Sequence, residues 1–272
     1  MGNFGLLGAN NYMKVVILCG GKGTRLREET EFRPKPMVPV GGKPILWHIM
    51  KTYAQFGHTE FILCLGYKGD MIKEYFRNYL WNTCDITLRL GHNPSVQCHN
   101  SHDEENWTVT LADTGENSMT AYRVRSVRQY LPAAEPFMLT YGDGVAAIDL
   151  HALLASHRAA GKLCTLSAVH PAGRFGALRI EHDGSISSFE EKPQFESSLI
   201  NGGFMVCEPG IFDYLPADPN IMLEREPMDH LVRDAQLNAY RHEGFWQPMD
   251  TYQESQHLNR LWDEGTAPWR VW

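Results

Sequence analysis

The feature that most constrains the fold is a short β-branched run that leads directly into a glycine-rich loop. Val15, Val16 and Ile17 form the run, and residues 18–26 are Leu-Cys-Gly-Gly-Lys-Gly-Thr-Arg-Leu. β-Branched residues favour strands, whereas clustered glycines end them and let backbone N–H groups turn toward a bound anion. The pattern therefore predicts a buried strand that opens into a phosphate-binding loop.

Cations follow this loop at a spacing that suits a polyphosphate. Arg25 supplies a planar, permanently charged fork, and Lys35 supplies a point charge between two prolines. From Lys14 to Lys43 the chain has seven basic and three acidic residues, although the net charge of the whole chain is −7. The positive charge is local, which suits a small anion and not a nucleic acid. We therefore predict a nucleoside triphosphate site here.

Two other phosphate-binding motifs are excluded by their spacing. The dinucleotide-binding motif needs a third glycine, but counting from Gly21 that position is occupied by Leu26. A Walker A loop needs Gly-Lys followed by Ser or Thr, whereas Gly42-Lys43 is followed by Pro44. The missing third glycine disfavours a Rossmann oxidoreductase.

A second candidate site residue follows the apolar segment 137–141. Asp143 stands between two glycines directly after this predicted strand. Open α/β sheets bind ligands at the carboxyl ends of their strands, so we expect this carboxylate near the glycine loop. Mg2+ takes a few carboxylates and completes its shell with phosphate oxygens and water. Asp143 is therefore predicted to hold a hard cation beside the triphosphate.

Apolar periodicity predicts strands and helices in alternation, and hence a Rossmann-like doubly wound mixed sheet. Predicted strands are 14–19, 60–65, 86–90, 107–111, 136–141, 163–169, 177–181, 186–189 and 203–207. Predicted helices are 44–56, 70–80, 118–130, 149–160, 210–215 and 227–237. We divide the chain into an N-terminal extension (1–12), a catalytic domain (13–240) and a C-terminal extension (241–272).

Composition excludes several other classes of protein. Apolar runs stay shorter than ~18 residues, so no membrane span is expected, and the first twelve residues do not resemble a secretory signal. The six cysteines form no Cys-x-x-Cys pair, which favours reduced thiols in a cytoplasmic protein. The polar segment from His92 to Glu105 contains His and Cys residues, but its composition favours a solvated loop over a zinc site.

Motifs in order along the chain carry a resemblance to a known family. They are the glycine loop, Pro34-Lys35-Pro36-Met37-Val38, Gly41-Gly42-Lys43-Pro44-Ile45-Leu46-Trp47-His48-Ile49-Met50, Asp113-Thr114-Gly115, Tyr141-Gly142-Asp143-Gly144-Val145, Gly173-Arg174-Phe175-Gly176-Ala177-Leu178, Glu191-Lys192-Pro193, Ile200-Asn201-Gly202-Gly203-Phe204 and Phe245-Trp246-Gln247-Pro248-Met249-Asp250-Thr251. With these motifs the chain resembles the sugar-1-phosphate nucleotidylyltransferases, and most closely the glucose-1-phosphate cytidylyltransferases.

The resemblance implies a reaction and its partners. CTP and α-D-glucose 1-phosphate would give CDP-glucose and pyrophosphate with Mg2+ as cofactor. The sugar phosphate is already ionised at neutral pH, so it would attack the α-phosphorus in line without a general base. The main task of the protein is then to neutralise charge. The resemblance further implies a cytoplasmic homo-oligomer that supplies CDP-hexose for surface polysaccharide, with no membrane or nucleic-acid partner.

The resemblance also implies roles for individual residues. Arg25, Lys35 and Asp143 would be catalytic, and Asp143 and Asp250 would bind the metal. The nucleotide would be bound by Leu18, Gly20, Gly21, Lys22, Gly23, Thr24, Arg25, Lys35, Ser118, Arg123 and Gly142. The sugar phosphate would be bound by Gly176, Glu191, Lys192, Asn201 and Trp246.

Departures from the family pattern leave the nucleotide base open. Ala121 and Tyr122 stand where the cytidylyltransferases have two glycines, and Pro39 and Ala147 replace a Glu and an Asp that family members tend to carry. A thymidylyl- or uridylyltransferase, and a non-catalytic protein that senses nucleotide or sugar phosphate, therefore remain as alternatives.

Three local alternatives also stay open in the sequence. Asp250 precedes an amphipathic helix and would serve as its N-cap if it does not bind a metal; if Asp250 binds the metal, Thr251 takes the capping role. Trp246 closes the sugar pocket or packs in the core. The aromatic C-terminus, residues 268–272, forms a subunit contact or packs within the chain.

Overall fold

The computed structural model describes residues 12–99, 106–171, 177–180, 185–190 and 199–272, with the backbone alone at 177–180 and 186–190. The strands are β1 (Val15–Leu18), β2 (Pro39–Val40), β3 (Lys43–Pro44), β4 (Glu60–Leu65), β5 (Asp85–Arg89), β6 (Ser95–His99), β7 (Thr108–Asp113), β8 (Phe137–Tyr141), β9 (Gly144–Ala146), β10 (Cys164–Val169), β11 (Ala177–Ile180), β12 (Ile186–Glu190), β13 (Ile200–Asn201), β14 (Met205–Cys207), β15 (Leu237–His242) and β16 (Trp246–Pro248). The α-helices are α1 (Arg27–Thr30), α2 (Ile45–Gln55), α3 (Gly69–Arg77), α4 (Tyr79–Thr83), α5 (Thr120–Ser126), α6 (Leu150–Ala160), α7 (Glu226–Arg233) and α8 (Tyr252–Asp263), and 3-10 helices lie at Lys35–Met37, Arg128–Tyr130 and Pro209–Tyr214.

A mixed sheet forms the centre of the molecule. In the described residues it has eight strands, in the order β13-β10-β14-β8-β1-β4-β7, with β15 added beside β10. β1 pairs in parallel with both β4 and β8, whereas β14 runs antiparallel to β8 and β10. The Rossmann-like mixed sheet predicted from the sequence is confirmed. The loops that follow β1, β4, β7 and β8 meet at one edge, where such sheets bind ligands.

Two hydrophobic clusters cover the faces of this sheet. Alternate residues of β1 enter different clusters, with Val15 and Ile17 on one face and Val16 and Leu18 on the other. Helices α2 and α6 pack on the first face, and α5 and α7 pack on the second. The β-branched run is therefore buried on both sides, which is typical of an interior parallel strand.

The C-terminal residues pack within the chain. The Trp269 side chain is fully buried, and its indole N–H donates to His48 Nδ1 at 3.3 Å. Helix α8 contacts the β2–β3 turn, because Asn259 accepts from Gly41 N at 3.0 Å and donates to Pro39 O at 3.2 Å. Of the two alternatives for this segment, the structure shows intrachain packing.

Several predicted elements differ from the observed ones. Residues 95–99 are predicted to lie in a solvated loop but form β6, a short strand whose side chains are mostly exposed. The predicted helix 227–237 ends at Arg233, because Ala235 has a positive φ of 54° and the chain continues as β15. The predicted helix 118–130 is a seven-residue helix followed by a 3-10 turn. No helix of the described part is long and apolar enough to cross a bilayer.

Candidate functional site

A cavity of about 290 Å3 opens where the glycine loop follows β1. It is lined by Leu18, Cys19, Gly20, Gly21, Gly23, Thr24, Arg25, Lys35, Pro36, Ser118, Met119, Thr120, Arg123, Tyr141, Gly142 and Asp143. The structure thus brings together every residue predicted for the nucleotide except Lys22, which is exposed outside the lining. The walls come from the loops after β1 and β8 and from the start of α5.

Arg123 supports the glycine loop from below. Its terminal guanidinium nitrogens donate to Gly20 O and Leu65 O, both at 3.0 Å, to Thr114 Oγ1 at 2.8 Å and to Glu116 O at 3.3 Å. These four bonds use every N–H of the two terminal nitrogens. Burial lowers the pKa of Arg123, yet an arginine side chain stays charged at neutral pH. The sequence predicted a nucleotide contact for Arg123, and the structure shows that it joins three loops.

Gly20 is a glycine because of this arrangement. A Cβ at position 20 would lie 2.1 Å from Arg123 Nη1, a distance that no side chain tolerates. The loop backbone therefore rests directly on the guanidinium, which places a positive charge beneath the cavity.

Lys35 stands at the centre of a cluster of charged side chains. Its ammonium donates to Asp143 Oδ2 at 2.6 Å and to Asp250 Oδ1 at 2.7 Å, while Arg25 Nη1 lies 2.9 Å from Asp250 Oδ2. Burial alone would lower the pKa of Lys35, but the Asp143 and Asp250 carboxylates outweigh burial and raise it. Two carboxylates and two cations therefore form a neutral cluster at the edge of the cavity.

The β9–β16 pair brings the two carboxylates together although they are far apart in the sequence. Val145 pairs with Gln247 in this antiparallel ladder, and Met249 N donates to Asp143 O at 2.8 Å. Asp250 is the next residue. Thr251 caps α8 in a capping box with Glu254, so the capping role falls to Thr251 and the Asp250 carboxylate is left for the cluster.

The chemistry of the cluster fits the Mg2+ that the sequence resemblance implies. Oxygens of Asp143 and Asp250 converge on one cation, the Lys35 ammonium. Hard divalent cations prefer such carboxylate oxygens. Within the described residues, the side chains of three or more His, Cys, Asp or Glu residues nowhere gather into a metal-binding group.

The predicted sugar-phosphate residues are described only in part. Gly176, Glu191 and Lys192 lie outside the described residues. Asn201 Nδ2 donates to the Tyr141 hydroxyl at 3.1 Å, and Trp246 Nε1 donates to Gly202 O at 2.8 Å. Trp246 is half-buried and packs against the hydrophobic core while it holds the segment that carries Asn201. Packing against the core is therefore shown, and contact of Trp246 with the sugar stays a prediction.

Two residues of the site were missed from the sequence. Tyr141, at the end of β8, lines the cavity, and Glu224 accepts a hydrogen bond from its hydroxyl at 2.7 Å. Glu224 gives no local signal in the sequence, because its partners are 83 and 104 residues away. Only the fold brings them together.

Comparison with known proteins identifies the family. A sequence model of the nucleotidyl transferase family matches residues 14–247. The chain belongs to this family. It is 49% identical over 260 residues to a glucose-1-phosphate cytidylyltransferase of Salmonella typhi, covering 96% of this chain and 100% of that protein. A probable glucose-1-phosphate cytidylyltransferase of Bacillus subtilis is 45% identical over the same length and the same shares of both chains.

Solved structures show the same nucleotidyl transferase fold. A UTP-bound UGPase from Acinetobacter baumannii superposes with a TM-score of 0.64, covering 92% of this chain and 93% of that one. The two sequences are only 14% identical, so the likeness concerns the fold alone.

The site as a whole can bind a polyphosphate and balance its charge. It combines a glycine loop with free space in front of it, a guanidinium beneath, and a buried lysine between two carboxylates. Phosphoryl transfer needs little more from a protein than positioning and charge stabilisation.

Proposed function

We propose that this nucleotidyl transferase makes CDP-glucose from CTP and α-D-glucose 1-phosphate, with release of pyrophosphate. The observation that carries the proposal is the 49% identity, over 96% of the chain, to the glucose-1-phosphate cytidylyltransferase of Salmonella typhi. The cluster of Lys35, Asp143, Asp250 and Arg25 beside the cavity supports it independently, because it contains the charged groups that such a transfer needs.

In the proposed reaction the sugar phosphate is the nucleophile. Its oxygen forms a bond to the α-phosphorus of CTP while the bond from that phosphorus to the β-phosphate oxygen breaks. The phosphate is ionised at neutral pH, so no side chain has to remove a proton. The protein instead offsets the repulsion between two anions and holds them in line.

The chain's own residues divide this task between them. Amides of the glycine loop and the Arg25 guanidinium bind the triphosphate, and the Arg123 charge beneath the loop strengthens that binding. The Lys35 ammonium neutralises negative charge near the α-phosphate. Lys192 and Glu191 would hold the phosphate and hydroxyls of the sugar. Mg2+ held by Asp143 and Asp250 would supply further charge stabilisation on the phosphate oxygens.

The experiment that tests the proposal is pyrophosphate release with glucose 1-phosphate and Mg2+, with CTP, UTP, dTTP, ATP and GTP in parallel. We expect CTP to react fastest and mass spectrometry to identify CDP-glucose. Preference for UTP or dTTP would contradict the choice of base and keep the reaction type. Nucleotide binding without turnover, whatever hexose 1-phosphate is offered, would favour a sensing protein.

The family relationship supports narrower proposals as well. They are dependence on Mg2+, a homo-oligomeric state, and a cytoplasmic enzyme that supplies CDP-hexose for surface polysaccharide. All six cysteines are free thiols, which accords with a reducing compartment. Dependence on Mg2+ is tested by loss of turnover in EDTA and its recovery on added Mg2+. The homo-oligomeric state is tested by light scattering on the purified protein.

A further inference from the structure

Glu224 stands behind the cavity wall and binds two residues of that wall at once. Its Oε1 accepts from the Tyr141 hydroxyl and its Oε2 from the Thr120 hydroxyl, both at 2.7 Å. Tyr141 and Thr120 line the cavity, whereas Glu224 is not among the lining residues. The carboxylate therefore acts on the cavity only through these two hydroxyls.

The direction of every proton in this network is fixed by its neighbours. Leu223 N donates to Thr120 Oγ1 at 2.8 Å, so the Thr120 hydroxyl proton points to Glu224. Asn201 Nδ2 donates to the Tyr141 oxygen at 3.1 Å, so the Tyr141 proton also points to Glu224. Burial, followed by the negative charge of Glu224, raises the pKa of Tyr141 well above its usual range. Both hydroxyls are thus held as donors to one carboxylate.

The two hydroxyls belong to opposite sides of the proposed reaction. Thr120 begins α5, two residues after Ser118 and one turn before Arg123, on the nucleotide side. Tyr141 is the last residue of β8, and its hydroxyl accepts a hydrogen bond from Asn201, which we assign to the sugar-phosphate side. The Asn201 amide is fixed further, because its Oδ1 accepts from Gly203 N at 2.9 Å. Glu224 is the residue where the two sides join.

The segment around Glu224 is itself anchored to α5. Met119 N donates to Pro219 O at 2.7 Å and Ala121 N donates to Ile221 O at 3.3 Å. Residues 219–224 therefore follow the first turn of α5 closely, and Glu224 reaches both partners from a fixed backbone.

We infer that Glu224 is a positioning residue for both substrates. Through Thr120 it sets the start of α5 for the nucleotide, and through Tyr141 it sets the Asn201 amide for the sugar phosphate. The inference rests on the proposed function, which defines the two sides. An ionised carboxylate suits the task because both of its oxygens accept, whereas a glutamine would turn an amide N–H toward one hydroxyl proton.

Three near-isosteric variants test the inference, because each is expected to weaken the binding of a different set of substrates. The dissociation constant of CTP is measured by calorimetry without sugar phosphate, and the KM of glucose 1-phosphate is measured at saturating CTP. We expect Thr120→Val to weaken CTP binding alone and Tyr141→Phe to raise the KM of glucose 1-phosphate alone. Glu224→Gln should do both, each by about tenfold, since a hydrogen bond to a charged group is lost. Glu226→Gln, which removes a nearby exposed carboxylate, is the matched control and should change neither constant.

The inference is overturned if Glu224→Gln leaves both constants unchanged, moves one alone, or lowers kcat and melting temperature without changing either. Should Glu224→Gln fail to fold, Thr120→Val and Tyr141→Phe still test the inference. If each of these two variants weakens the binding of CTP and of glucose 1-phosphate equally, the two hydroxyls do not serve different substrates and the inference is contradicted. Failure of the proposed function gives a different result, because the wild type would then bind CTP and glucose 1-phosphate without turnover. Calorimetry with each compound would still show which variant weakens the binding of which compound.

Discussion

The ammonium nitrogen of Lys35 lies 2.6 Å from Oδ2 of Asp143, so a cation of the protein itself contacts one of the carboxylates that we propose as metal ligands. Asp250 completes the contact from the other side at 2.7 Å. Opposite unit charges 4 Å apart interact by about 4 kcal/mol at an effective dielectric constant near 20. A lysine this firmly held competes with any metal ion that uses the same oxygens.

Replacing Lys35 by Met should therefore strengthen metal binding in the absence of nucleotide. Removing the ammonium leaves two carboxylates near one another, and we expect the affinity for Mn2+, used as a spectroscopic probe, to rise at least about tenfold. Electron paramagnetic resonance measures free Mn2+ directly. Turnover should fall in the same variant, because the charge that neutralises the α-phosphate is gone.

The matched control for this variant is Lys73→Met on α3, which removes an exposed lysine outside the cavity. It should leave Mn2+ affinity unchanged. Equal or weaker Mn2+ binding by Lys35→Met than by wild type would contradict the competition between ammonium and metal.

Arg123→Met should destabilise the protein and weaken nucleotide binding together. The substitution removes a charged donor from the carbonyls of Gly20, Leu65 and Glu116, and a hydrogen bond to a charged group contributes about 1.5–3 kcal/mol. We expect the free energy of unfolding to fall by roughly 3 kcal/mol or more. Arg89→Met, at an exposed arginine of β5, is the control. A stable Arg123→Met variant that binds CTP normally would refute the supporting role.

Because two histidines are buried, we expect the free energy of unfolding to fall in mild acid. Burial, only partly opposed by the bond to Val40 O, lowers the pKa of His48 from 6.5 to about 4, and burial lowers the pKa of His58 to about 4 as well. Each folded-state pKa lies below its unfolded value, so protons bind preferentially to the unfolded chain. Their contribution to stability is complete above pH 6.5 and is lost as the pH falls to 4, by on the order of 3 kcal/mol for His48.

His48→Gln tests this pH dependence. An amide can accept from Trp269 N–H and donate to Val40 O, as the histidine ring does, but it does not titrate. Urea unfolding between pH 7 and pH 4 should show a smaller loss of stability in His48→Gln than in wild type. His92→Gln, at an exposed histidine, should follow wild type. Parallel pH profiles for all three proteins would rule His48 out as the cause.

Much of the site could be predicted because its residues are local to strand ends. The run Val15 to Ile17 has a strong strand signal, and the glycines and Arg25 follow it directly. Asp143 was found in the same way, from its position just after β8. Asp250 needed the family resemblance, since only the β9–β16 ladder brings it to Asp143.

What the sequence did not reveal depends on contacts between distant segments. Glu224 meets Thr120 and Tyr141 through side chains alone, and nothing in its neighbouring residues indicates such partners. The role of Arg123 was likewise hidden, because an arginine that binds backbone carbonyls and one that binds a nucleotide look the same in a sequence. Strand β6 was missed because its five residues lie in a segment rich in polar and charged residues, and their side chains are mostly exposed.

The most direct test compares pyrophosphate formation from CTP and glucose 1-phosphate by wild type and Asp143→Asn. Loss of one charge-stabilising contact typically lowers turnover ~100–1,000-fold, and we expect a loss in that range with the fold retained. Asp149→Asn is the control, because it removes a carboxylate at the N-cap of α6, where asparagine caps equally well. A folded Asp143→Asn enzyme with nearly wild-type turnover would contradict the assignment of this cluster as the reaction centre.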